Sequence, residues 1–129
     1  MTKILIIDDA SFMRKILTKI FIQKGYEVVG EAVDADSGIA AYKEIKPDLV
    51  TMDICMPLKS GIEAINEIIA YDKNAKILVC SALGQEILVM EAIEAGAKDF
   101  IVKPFKKDKV LQTIEKIISD WPYQAEGMQ

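Results

Sequence analysis

Histidine is missing altogether from this chain of 129 residues. That absence excludes imidazole acid–base catalysis, histidine metal ligands and a phosphohistidine carried by the chain itself. Cysteine occurs only as Cys55 and Cys80, neither beside ligand-like residues, which points to free thiols in a reducing compartment. No apolar run approaches the length of a membrane span. Met1-Thr2-Lys3 leads straight into a strand-like run, so we expect no signal peptide, no membrane association and a cytoplasmic location. A basic surplus is also lacking. The net charge of −4 argues against a nucleic-acid partner, whose phosphates require a basic footprint. Lys103, Lys106, Lys107 and Lys109 do cluster, but Lys106–Lys109 reads as a solvated helix start. The length suits one domain with a real core, placed over residues 1–120 and followed by a tail, 121–129.

What the chain does have is a regular alternation of short apolar runs with amphipathic segments. Lys3–Asp8 is a nearly continuous apolar strand, the pattern of a strand covered on both faces. Ser11–Lys24 follows as a helix with Phe12, Met13, Ile16, Leu17, Ile20 and Phe21 on one stripe, stopped by Gly25. Glu27–Val33 is a weaker, more polar strand suited to a sheet edge, and Asp36–Ile45 a helix closed by Lys46-Pro47. Asp48–Asp53 is the third strand. Ser60-Gly61-Ile62-Glu63 has the form of a capping box and opens a helix that turns Ile62, Ile65, Ile68 and Ile69 inward. Lys76–Ser81, Glu86–Ala95, Asp99–Lys103 and Lys107–Ser119 complete the series as strand, helix, strand, helix. Beyond Ser119 the periodicity ends, although Trp121 and Tyr123 are able to pin part of the tail down.

Five strands separated by helices predict an α/β fold: a three-layer, doubly wound (βα)5 arrangement around a parallel sheet. Such sheets bind ligands beyond the carboxyl ends of their strands, at the topological switch point. In the flavodoxin-like order 2-1-3-4-5 that point lies between strands one and three, which end in Asp8-Asp9 and in Asp53. Ser81 and Lys103 close the fourth and fifth strands.

Taken singly, each of these residues has a plain explanation. An Asp pair after a strand caps a helix more often than not, Asp53 suits a turn, Ser81 suits a cap, and Lys103 suits a solvated strand end. Their joint position at strand ends of one sheet is what the separate explanations do not require. Three neighbouring carboxylates repel, raising the pKa of one of them unless a cation intervenes. Mg²⁺ prefers oxygen ligands and is commonly held by one or two carboxylates plus a phosphate, whereas a transition metal calls for His or Cys clusters. The ligands expected are Asp9 and Asp53, with Asp8 acting through water and the backbone carbonyl of Cys55 available. Phosphoryl transfer to a carboxylate needs a nucleophile, positioning and charge stabilisation. Asp53, the cation with Lys103, and the Ser81 hydroxyl fill those roles.

Asp8-Asp9, the Asp53-x-x-Met56-Pro57-x-x-x-Gly61 run, Ser81-Ala82 and Lys103-Pro104-Phe105 together resemble the response-regulator receiver domain, from about Lys3 to about Ser119. The Asp8–Arg14 stretch is similar to the family's single-domain chemotaxis members in particular. The order 2-1-3-4-5 is also what this resemblance implies. It further implies Asp53 as phosphorylation site, Asp9 as direct metal ligand, Asp8 as supporting acid, Ser81 as switch hydroxyl, Lys103 as phosphate partner and a cis Lys103–Pro104 bond. Two positions depart from the pattern: Phe100 stands where a tyrosine is frequent, and Cys55 where a polar residue is frequent.

The expectation is thus a phosphoacceptor switch with no catalysis beyond its own phosphorylation and dephosphorylation. A chemotaxis-type histidine kinase is the expected donor, and Ser81 and Phe100 the switch residues. The expected target is a flagellar or archaellar motor component or its adaptor, bound by a monomer, with a separate phosphatase to erase the signal. The alternative is a relay intermediate that passes the phosphoryl group to a histidine phosphotransfer protein. An aspartyl-nucleophile phosphatase is disfavoured, because such enzymes need a second Asp where Cys55 stands.

Overall fold

Strand and helix alternate without exception: β1 (Lys3–Ile7), α1 (Ser11–Lys24), β2 (Glu27–Ala32), α2 (Ala35–Ile45), β3 (Leu49–Asp53), α3 (Gly61–Tyr71), β4 (Ile77–Ser81), α4 (Glu86–Ala95), β5 (Asp99–Val102) and α5 (Lys107–Gly127). The computed structural model describes residues 1–127, with side chains up to Ser119. All strand pairs are parallel and the order is β2-β1-β3-β4-β5. β1, β3 and β4 are central and buried along their whole length apart from Lys3, which is why their sequences read as unbroken apolar runs. β2 lies at an edge, and only Ala32 in it is fully buried.

The period of two along each strand divides the core. Leu5, Ile7, Val50, Met52, Ile77 and Val79 face α2, α3 and α4 through residues such as Ile39, Ile65 and Val89. Ile4, Ile6, Leu49, Leu78, Cys80 and Ile101 face α1 and α5, meeting Leu17, Phe21, Val110 and Ile114. Each such large aliphatic side chain, once buried, contributes roughly 1.5–3 kcal/mol.

The helix boundaries follow from local chemistry. Ser60 caps α3, its hydroxyl accepting from the Glu63 amide at 3.2 Å. Asp34 caps α2 in the same way through Ser37 N–H at 2.8 Å, one residue earlier than the apolar pattern suggests. Two expectations need correction. Phe12 belongs to the inward stripe of α1 by periodicity, yet it is 67% exposed: it sits in the first helical turn, before the stripe meets the sheet at Leu17. The last helix does not stop at Ser119 but continues to Gly127, because a helix once formed propagates through its backbone hydrogen bonds and needs no apolar stripe to continue. The placement of Trp121 and Tyr123 lies outside the described side chains.

Candidate phosphoacceptor and metal site

The site grows out of the strand pattern. On the α1/α5 face the rows Ile4-Ile6, Leu49-Thr51 and Ile101 continue, two residues at a time, to Asp8, Asp53 and Lys103. Register brings the rows level, since Ile7 pairs with Met52 and Asp53 with Cys80. The polar trio is therefore the upper end of an apolar layer, and its groups are poorly hydrated. Asp8 and Asp53 are buried, while Asp9 is exposed. One carboxylate oxygen from each of Asp8, Asp9 and Asp53 lies within 4.8 Å of the others.

The plain explanations of these residues fail one by one. Ala10, not an aspartate, is the N-cap of α1, and no side chain caps that helix. Asp8 Oδ1 accepts from the Ala10 amide at 2.9 Å, which turns the chain and leaves Oδ2 inside the site. Lys103 is no solvated lysine: its Nζ is 3.2 Å from Asp8 Oδ2 and 3.3 Å from Asp53 Oδ1. Ser81 does not cap α4, whose N-cap is Gln85; it is buried, and its hydroxyl donates to the Ile101 carbonyl at 3.4 Å. The Lys103–Pro104 bond is cis.

Burial first, then the charge of Asp8, raise the Asp53 pKa to about 6 against the lowering effect of Lys103. Burial works against the Lys103 ammonium, but the charges of Asp53 and Asp8 outweigh it and hold the pKa above the ordinary lysine value. One ammonium against three carboxylates leaves the cluster short of positive charge. Asp8 Oδ2, although buried, also lacks a hydrogen bond and has only the Lys103 charge for compensation. Oxygen donors alone, excess negative charge and an orphaned buried oxygen fit a Mg²⁺ site.

Three supports were not legible in sequence. Arg14 donates through Nη1 to the Asp8 carbonyl at 2.8 Å and through Nε to Glu31 at 2.9 Å, bracing the turn that carries Asp8 and Asp9. Gly61 lets α3 start against the Asp53 backbone, for a Cβ there would collide with the Asp53 carbonyl oxygen. Gln85 accepts from the Ala82 amide at 2.7 Å and donates to Cys55 Sγ at 3.0 Å. Gly61 and Arg14 both stand in the sequence motifs, but their supporting contacts do not show there. The Gln85–Cys55 contact spans thirty residues between two loops.

Doubly wound topology, an acidic triad at the switch point and a lysine across from it define a receiver-type phosphoacceptor site. The response regulator receiver domain model matches residues 4–115, and the chain belongs to that family. It is 56% identical to the chemotaxis protein CheY of Thermotoga maritima, over 89% of this chain and 96% of that protein. It is 52% identical to CheY of Bacillus subtilis, over 91% and 98% respectively. Among solved structures, the CheX-CheY-BeF3-Mg complex of Borrelia burgdorferi superposes with a TM-score of 0.86 at 41% identity, covering 90% of this chain and 88% of that one. Within the family it is a CheY-like response regulator of the chemotaxis type, a phosphoacceptor switch rather than a true enzyme.

Proposed function

We propose that Asp53 is the residue phosphorylated, by a histidine kinase of the chemotaxis type, and that Ser81, Lys103 and Phe100 transmit the change. The observation that carries this reading is the position of the Asp53 carboxylate: buried at the end of β3, facing Asp8, and 3.3 Å from the one ammonium in the site. A carboxylate oxygen of Asp53 attacks phosphorus in line, the bond to the donor histidine nitrogen breaks, and an acyl phosphate remains. Asp8, Asp9 and Asp53, with the backbone carbonyl of Cys55, hold Mg²⁺, which supplies charge neutralisation for the phosphoryl oxygens when bound.

Lys103 then pairs with a phosphoryl oxygen in place of the carboxylate it now contacts. Ser81 gives up its long bond to the Ile101 carbonyl for another phosphoryl oxygen. Phe100, at 41% exposed, borders a cavity of about 230 Å³ whose wall includes Ser81, Val89 and Met90, and it turns inward as Ser81 leaves. The face of α4, β5 and α5 is thereby reshaped. A groove of about 480 Å³ on it, lined by Phe100, Pro104, Phe105, Lys106 and Lys109, receives a flagellar or archaellar motor component or its adaptor.

The test is phosphorylation by acetyl phosphate with Mg²⁺, followed by intact mass. Wild type should gain one phosphoryl group and Asp53→Asn none. Undiminished incorporation in Asp53→Asn refutes the assignment.

A further inference from the structure

We infer that Gln85 is a positioning residue, a latch that holds the loop between β4 and α4 in its resting place and must open for Ser81 to move. The inference rests on the reading of Ser81 as the switch hydroxyl. Ala82, Leu83 and Gly84 form this loop, all three exposed, with the turn made by Gly84 at φ +88°. Gln85 is the N-cap of α4, yet its side chain makes no cap bond to its own helix. It reaches back to the Ala82 amide at 2.7 Å and across to Cys55 Sγ at 3.0 Å instead. Glutamine is not among the side chains that cap helices well, and here it bonds to the loop and to Cys55 rather than to α4.

Its two ends show what the side chain does. Ala82 is bonded to Ser81, and Cys55 lies two residues after Asp53, so one amide group joins the switch loop to the loop that follows the phosphoacceptor. Among the described residues, Gln85 supplies the loop's one side-chain tie to another part of the fold. The Ser81 hydroxyl is held only by a 3.4 Å bond to the Ile101 carbonyl, whereas its backbone carbonyl accepts from the Lys103 amide at 2.7 Å. When Ser81 turns toward a phosphoryl group the backbone after it is displaced, and the short Ala82–Gln85 bond is the first to be strained. The latch therefore opposes activation in the unphosphorylated protein. Its strength is that of one solvent-exposed hydrogen bond, which corresponds to about fivefold in an equilibrium or a rate.

The experiment measures two quantities on wild type, Gln85→Ala, Cys55→Ala, Cys55→Ser and the Gln85→Ala/Cys55→Ala double variant. The first is the rate of phosphorylation by acetyl phosphate with Mg²⁺. The second, on the metal-free protein, is hydrogen exchange at the Ala82 amide. Gln85→Ala should be phosphorylated about fivefold faster and lose protection at Ala82, with unchanged circular dichroism. Cys55→Ala should act in the same direction, and the double variant should gain nothing over Gln85→Ala, because both remove one bridge. Cys55→Ser keeps an acceptor for the Gln85 amide and should keep the Ala82 amide protected from exchange. A wild-type rate in Gln85→Ala, or a double variant whose effects multiply, overturns the latch. Absence of any phosphorylation in wild type overturns the underlying reading of Asp53, and the latch with it.

Discussion

Replacing Asp53 by asparagine should make the metal-free protein more stable at neutral pH, although it removes the phosphoacceptor. The carboxyl has its ordinary value near 3.8 in the unfolded chain and about 6 in the fold, because burial and the Asp8 charge both penalise ionisation. Between those values the folded state holds a proton that the unfolded state has released. Stability therefore falls as pH rises through that window and stays low above it. At about 1.4 kcal/mol per pH unit, the deficit at pH 7 is about 3 kcal/mol, shrinking to about 1 kcal/mol at pH 4.5. Asparagine has the shape of the neutral form and escapes the penalty, while Lys103 keeps Asp8 at 3.2 Å as a partner. Urea denaturation in EDTA at the two pH values measures the gap. Adding Mg²⁺ at about a hundred times its Kd should return about 2.7 kcal/mol to wild type alone and bring the two proteins nearly level. An Asp53→Asn protein no more stable than wild type at pH 7 refutes the electrostatic reasoning, as does an advantage that is as large at pH 4.5 as at pH 7.

Three further outcomes are expected. Lys103→Arg should fold but transmit poorly, since a planar guanidinium does not replace a compact ammonium between two buried carboxylates; partner binding by the phosphorylated variant at wild-type affinity counts against that role. Decay of phospho-Asp53 should be slow, because Leu83, 82% exposed, and Cys55, occupied by Gln85, bring no carboxylate to orient water at the mouth of the site. Cys55→Asn and Leu83→Glu should hasten decay, and unchanged or slower loss of label removes water access as the explanation. Gly61→Ala should destabilise the fold by more than about 2 kcal/mol, measured by urea denaturation, because its Cβ meets backbone at Asp53 that has no room to yield; a smaller loss means that α3 can shift its start.

Much of this was determined by the sequence alone. Apolar runs ended by Asp8, Asp53, Ser81 and Lys103 are local patterns, and so are the helical stripes and the Ser60 cap, because burial on two faces and hydrogen bonding at a helix end act over a few residues. The alternation of strand and helix then left few ways to stack the layers, and the acidic triad followed from strand ends in one sheet. What only tertiary structure decided concerns partners far apart in sequence or exposure set by neighbouring elements. Phe12 satisfied the periodicity of α1 but lies where no packed element covers it. Arg14 behind the Asp8 carbonyl depends on the turn between β1 and α1, and Gln85 on the distance between two loops. The raised pKa of Asp53 has the same origin. Neighbouring acids were foreseeable from the strand ends, but the desolvation that leads the shift exists only once α1 and α5 close over the sheet beneath the site.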